Sequence, residues 1–185
     1  MSEYGVVIDT ATVRMERLLS GTADQVWAYL TDPEKRGTWL ASGPMELKVG
    51  GEVTLAFDFK RLTAEVTPER FRPYETGHVQ AGHVIQCEPP HLLRFTWNEK
   101  NGQGSEVSFE LQPQGKKTLL ILTHSKLPNR AEMVNVSGGW HTHLGLLDDR
   151  LNGEEPRLFW HTFLQMENEY QSRLPEDTAK QASAG

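Results

Sequence analysis

Residues 129–151 read NRAEMVNVSGGWHTHLGLLDDRL. Wound at about 3.6 residues per turn, this stretch brings Met133, Val136, Trp140, Leu144, Leu147 and Leu151 into one narrow stripe. Asn129 stands where a cap is needed, with Glu132 at the third helical position. Gly138 and Gly139 interrupt good helix formers at about 1 kcal/mol each relative to alanine, so a local benefit must offset them. Either Ser137 caps a fresh helix there, or the glycines let the backbone approach the sheet closely. The sequence before this helix, Val6 to Ser125, is mostly short strand-like runs. A helix crossing a curved sheet can leave a hollow, and a hollow is where ligands bind.

Working back toward the N-terminus, residues 118–124, with Val107, Phe109 and Leu111 before them, read as strands around a turn at Pro113-Gln114-Gly115. Asn101-Gly102 is a strong hairpin signal. Leu93, Phe95 and Trp97 alternate with Arg94, Thr96 and Asn98, and a further strand covers 78–88. Successive hairpins make an antiparallel sheet. The run MELKVGGEVTLAFDF reads as two strands pivoting on Gly50-Gly51, with Val53, Leu55, Phe57 and Phe59 on one face. Thr22 with Gln25 forms a capping box before a short helix, and Asp32-Pro33 ends it and starts another toward Trp39. Residues 60–77 have no sustained period; they are either a solvated insertion anchored by Leu62, Phe71 and Tyr74, or a lid. After Asn152-Gly153, a last helix from about Arg157 to Leu174 sets Phe159, Phe163, Met166 and Tyr170 on one side.

The 185 residues suffice for one domain with its own core. A net charge of −6, spread over the chain, argues against a nucleic-acid or anionic-membrane partner. The single cysteine, Cys87, allows no intramolecular disulfide and reads as a buried thiol in a reducing, cytoplasmic setting. The N-terminus lacks the basic start of a signal peptide, and no window approaches the roughly 18 apolar residues of a membrane span. The two histidines of His141-Thr142-His143 point about 200 degrees apart on a helix, so they form no metal pair. No nucleophile motif or phosphate loop is present, and neither a metal nor a cofactor is expected.

Five segments in this order, WAYLTDPEKRGTWL at 27–40, VGGEV at 49–53, EPPHLLRFTW at 88–97, TLLILTHSKLP at 118–128 and GGWHTHLGLLDDRL at 138–151, resemble the SRPBCC (START-like) superfamily. Within it the chain is similar to proteins like the C-terminal domain of the activator of the heat-shock chaperone ATPase. The resemblance implies an α+β helix-grip fold, an antiparallel sheet wrapped around the long C-terminal helix with a cavity between them. It covers residues 1–151 as the START-like domain; outside it, periodicity gives 152–174 as an additional C-terminal helix and composition gives 175–185 as a disordered tail. Members of the superfamily bind lipids, sterols and polyketides, and some are cyclases or hydrolases.

The function expected is therefore binding of a hydrophobic or aromatic small molecule in an internal cavity. The alternatives are a polyketide cyclase or hydrolase-like enzyme using a cavity histidine, and a chaperone-assisting or other protein-interaction role. The expected lining is Trp27, Trp39, Phe57, His83, Phe95, Trp97, Phe109, His124, Val136, Trp140, His143, Leu144 and Leu147. His143 lies on the inner side of the helix and is the one catalytic candidate, whereas His141 should face outward. The direction of His83 and His124 depends on a register that strands apolar on both faces do not reveal. Asp58 and Glu110 fall opposite the apolar positions and should meet solvent. The apolar side of the last helix either docks on its own domain or pairs two copies as a homodimer.

Overall fold

The computed structural model describes residues 4–175, so most of the tail expected from residue 175 onward lies outside it. Seven strands form one antiparallel sheet: β1 (Val6–Asp9), β2 (Thr12–Ser20), β3 (Glu52–Phe57), β4 (His78–Glu88), β5 (Leu92–Lys100), β6 (Gln103–Gln114) and β7 (Lys117–Ser125). Their order is β1-β2-β7-β6-β5-β4-β3, so the hairpins β4 to β7 make the centre and β2 returns to pair with β7. The helices are α1 (Ala23–Thr31), α2 (Pro33–Arg36), α3 (Phe59–Leu62), α4 (Arg130–Asn152) and α5 (Phe159–Arg173). Together they make an α+β helix-grip fold, with α4 lying across one face of the sheet.

Local chemistry sets the boundaries. Thr22 and Gln25 complete the capping box of α1, and Asp32 accepts the Lys35 N–H at 2.9 Å to start α2. Asn129 accepts the Glu132 N–H at 2.9 Å, and α4 then runs unbroken to a left-handed Gly153. No fresh helix begins at Ser137. The glycines do permit a close approach, but to α5 and not to the sheet: a Cβ on Gly138 would lie 3.2 Å from the Glu167 backbone. The first arm of the expected hairpin at 45–59 is also not a strand. It meets β3 only through single bridges, Ser42 to Ala56 and Met45 to Val53.

The core fills the space beneath the middle of α4. Phe95, Phe109, Trp140, Leu144 and Leu147 are buried there, and the Trp140 and Phe109 rings meet edge to face at 5.7 Å. The Trp140 indole N–H donates to His124 Nδ1 at 2.9 Å. Nδ1 is thus an acceptor, so the proton of the neutral ring sits on Nε2, 2.7 Å from the Ser105 hydroxyl. Burial pushes the His124 imidazole down to about 3.

The apolar side of α5 docks on its own chain. Phe159, Phe163, Met166 and Tyr170 are all buried, and the Tyr170 hydroxyl accepts the Gly5 N–H at 2.7 Å. His141, expected to face outward, is instead covered: Nδ1 lies 3.1 Å from the Tyr170 hydroxyl, and the ring packs 5.3 Å from Tyr4. The sequence reading placed it by the periodicity of α4 alone, without the terminal segments that cross that side.

The 60–77 stretch is ordered into α3 and a 3-10 turn at Glu69–Tyr74, and it is stapled to α5. Leu158 supplies no side-chain cap for α5. Glu65 replaces it, its carboxylate accepting the backbone N–H groups of Trp160 at 2.8 Å and His161 at 3.1 Å. Phe71 stacks on Trp160 at 4.9 Å, and Arg70 pairs with Glu167. Glu65→Ala is expected to cost about 1–2 kcal/mol, the usual worth of a cap, and to accelerate amide exchange at Trp160 and His161. Unchanged exchange at those two amides would show that the carboxylate does not hold the helix end.

Candidate functional site

An open cleft of about 590 Å³ lies where the first turn of α5, the middle of α4, the ends of β4 and β5 and the 59–74 segment come together. A deeper recess of about 160 Å³ continues from it and is closed by Leu40, Phe57, Trp97, Val136 and Trp140. Phe59, His78, Gln80, Asn98, Glu132, Asn135, Gly139, His143 and Phe163 line both parts.

Strand register accounts for the β4 residues. His78 pairs with Phe57 and Gln80 with Leu55, so their side chains share the face on which Phe57 and Leu55 are buried. The His78 ring stacks on Phe57 at 4.6 Å, nearly parallel. Burial lowers the His78 pKa. His83 has the opposite parity and points away, its Nδ1 3.1 Å from the Glu99 carboxylate on a side chain 52% exposed. It is no part of the cleft.

His143 projects from α4 between Phe57, at 6.4 Å, and Phe159, at 5.0 Å. Its Nδ1 donates to the Trp39 carbonyl at 2.6 Å, leaving Nε2 as an acceptor on the cleft side. Burial pushes the ring down to about 4, outweighing the opposing effect of the bond to Trp39. The ring is therefore neutral near pH 7. Its orienting partner is a carbonyl, not a carboxylate, and the rise in basicity it gives is smaller than the loss from burial.

Several polar groups around the cleft lack partners. Among the described residues, four buried side-chain polar atoms have none, and three belong to the lining: His78 Nδ1, Gln80 Oε1 and Trp160 Nε1. A buried polar atom without a partner costs about 1–3 kcal/mol, and three of the four belong to residues lining this one cleft. Gly139 adds the room: a Cβ there would meet nothing within 4 Å. No group of three or more His, Cys, Asp or Glu among the described residues could hold a metal ion.

Of the residues expected in the cavity, Phe57, Trp97, Val136, Trp140 and His143 line this cleft. Trp39, Phe95, Phe109, His124, Leu144 and Leu147 lie in the filled core, and Trp27 packs partly buried against it. Sequence reasoning missed His78, Gln80, Asn98, Gly139 and the α5 aromatics Phe159, Trp160 and Phe163. The usable signal was Gly139, a glycine mid-helix one residue from the stripe. Phe159 and Phe163 were read only as part of the apolar side by which the last helix docks or pairs. Asp58 and Glu110 are exposed as read, with Asp58 capping α3 through the Lys60 N–H.

The same fold is found in solved structures. A Bordetella parapertussis protein solved by NMR in solution is 42% identical, with 94% of this chain and 91% of that one covered and a TM-score of 0.80. CalU16 from Micromonospora echinospora is 21% identical, with 91% and 93% covered and a TM-score of 0.66. DynU16, a putative protein in the dynemicin biosynthetic locus, is 21% identical, with 80% of this chain and 49% of that one covered and a TM-score of 0.57. Among curated proteins none matches. Among the described residues no helix is long and apolar enough to cross a membrane. The family model of the Activator of Hsp90 ATPase homolog 1-like proteins matches residues 20–152, from the end of β2 to the end of α4, and the chain belongs to that family.

Proposed function

We propose that the protein binds a hydrophobic or aromatic small molecule in the cleft between α4, α5 and β3 to β5. The observation that carries this reading is the pairing of ring surfaces, Phe59, Phe159, Trp160 and Phe163, with buried polar atoms that have no partner inside the protein. Aromatic walls supply the affinity and the few polar groups the orientation. A docking role for the apolar side of α5 draws no support, since that side is already covered by its own domain.

Gly139→Leu tests the proposal. The leucine fits the helix, and leaving glycine improves helix propensity by up to about 1 kcal/mol, while the side chain grows into the cleft. Small aromatic probes titrated into 15N-labelled protein should shift the Trp160 indole N–H and the Gly139 amide. The leucine variant, folded as before, should weaken binding by about 100-fold or more. Probes that bind the variant equally well, or shift only distant residues, would overturn the proposal.

A further inference from the structure

The cleft carries an asymmetry in its hydrogen-bonding capacity that bears on which molecules it accepts. His143 Nδ1 is committed to the Trp39 carbonyl, so the neutral ring presents Nε2 as a bare acceptor. Gln80 Oε1, on the facing strand β4, is a second acceptor without a partner. Both belong to residues lining the cleft and its recess, with the flat face of Phe57 near both His143 and His78. The bond to Trp39 fixes both the tautomer and the ring's orientation, so acceptance at Nε2 is built in before any ligand arrives. A ligand that is only apolar would leave His143 Nε2 desolvated and unpaired.

We propose that His143 is the specificity-determining residue of the cleft, its Nε2 accepting a hydrogen bond from a hydroxyl or N–H group carried on the ligand's aromatic ring. The inference rests on the cleft-binding reading above and adds the class of ligand: hydroxylated or N–H-bearing aromatics over their O- or N-methylated counterparts. Burial holds the imidazole at about 4, so the acceptor persists throughout the neutral range.

The experiment compares 2-naphthol with 2-methoxynaphthalene, equal in ring surface but differing in the donor, by calorimetry on the full chain. The wild type should bind 2-naphthol about 5-fold or more tighter, although the methyl group by itself favours its competitor. The His143 Nε2 nitrogen resonance should move upfield with 2-naphthol and not with the ether, a readout that a merely structural histidine would not give. His143→Phe should bring the two affinities within about twofold. Should that variant fail to fold, the wild-type ratio and the nitrogen shift decide the matter. Equal binding of both probes, or no shift at Nε2, overturns the inference and leaves cleft binding standing. Absence of binding by either probe at millimolar concentration removes both.

Discussion

Replacing Arg36 with methionine is expected to lower the unfolding free energy by about 3–5 kcal/mol, a large part of a domain's usual 5–15. Arg36 is only 2% exposed, and among the described residues no carboxylate forms an ion pair with it. Its guanidinium donates to four backbone carbonyls: Ala41 at 3.0 Å, Leu30 and Thr31 at 3.2 Å, and Gly43. These are the loose ends of α1 and the turn that delivers Trp39 and Leu40. Burial brings its pKa down to about 10, still far above neutrality, so the cation stays charged. Methionine fills similar space but leaves those carbonyls without donors, which is where the loss arises. Arg36→Lys should lose somewhat less, because one ammonium keeps the charge but cannot reach as many carbonyls as a planar fork. Urea unfolding followed by tryptophan fluorescence measures both. A loss below about 1 kcal/mol for methionine would show that the carbonyls find water instead.

The second large effect is acid lability well above the carboxylate range. His124 and His143 are buried and neutral, held at about 3 and about 4, while unfolded histidine titrates near 6.5. The unfolded chain therefore takes up protons first as pH falls. Stability is fully present above about pH 6.5 and declines from there toward the folded values. Between pH 7 and pH 5 each histidine should remove roughly 2 kcal/mol, about 4 together. Urea midpoints at the two pH values report this sum plus a smaller contribution of the same sign from the part-exposed His141, also held at about 4. His124→Gln should be less stable at pH 7, because Trp140 and Ser105 lose a well-placed partner, yet show a shallower pH slope. A wild-type stability flat between pH 7 and 5 would mean that these rings are hydrated when folded.

Much of the fold was legible in the sequence because its punctuation is local. The caps at Thr22, Asp32 and Asn129 and the turn at Asn101-Gly102 each act through neighbours within a few residues, and each occurs where it was read. What failed involved distant partners. His141 was misplaced because its covering comes from Tyr4 and Tyr170. His78 and Gln80 went unnoticed because β4 lacks clean alternation, so only its pairing with β3 reveals which side faces inward. The hollow was expected between the sheet and α4, and a recess beside Trp97 and Trp140 lies there, while Phe95 and Phe109 are packed into the core. The wider cleft opens toward α5, the helix outside the resembling segments.

The pair of hydrogen bonds that Glu65 accepts from the α5 N-terminus also bears on traffic in and out of the cleft. A roof hinged on 63–75 would have to strip the first turn of the helix of its side-chain cap each time it swung. A ligand bound as proposed would pass instead along the rim by Asn98 and Lys100, away from that cap. Exchange should then be quick, and limited by the guest's own girth more than by any gate.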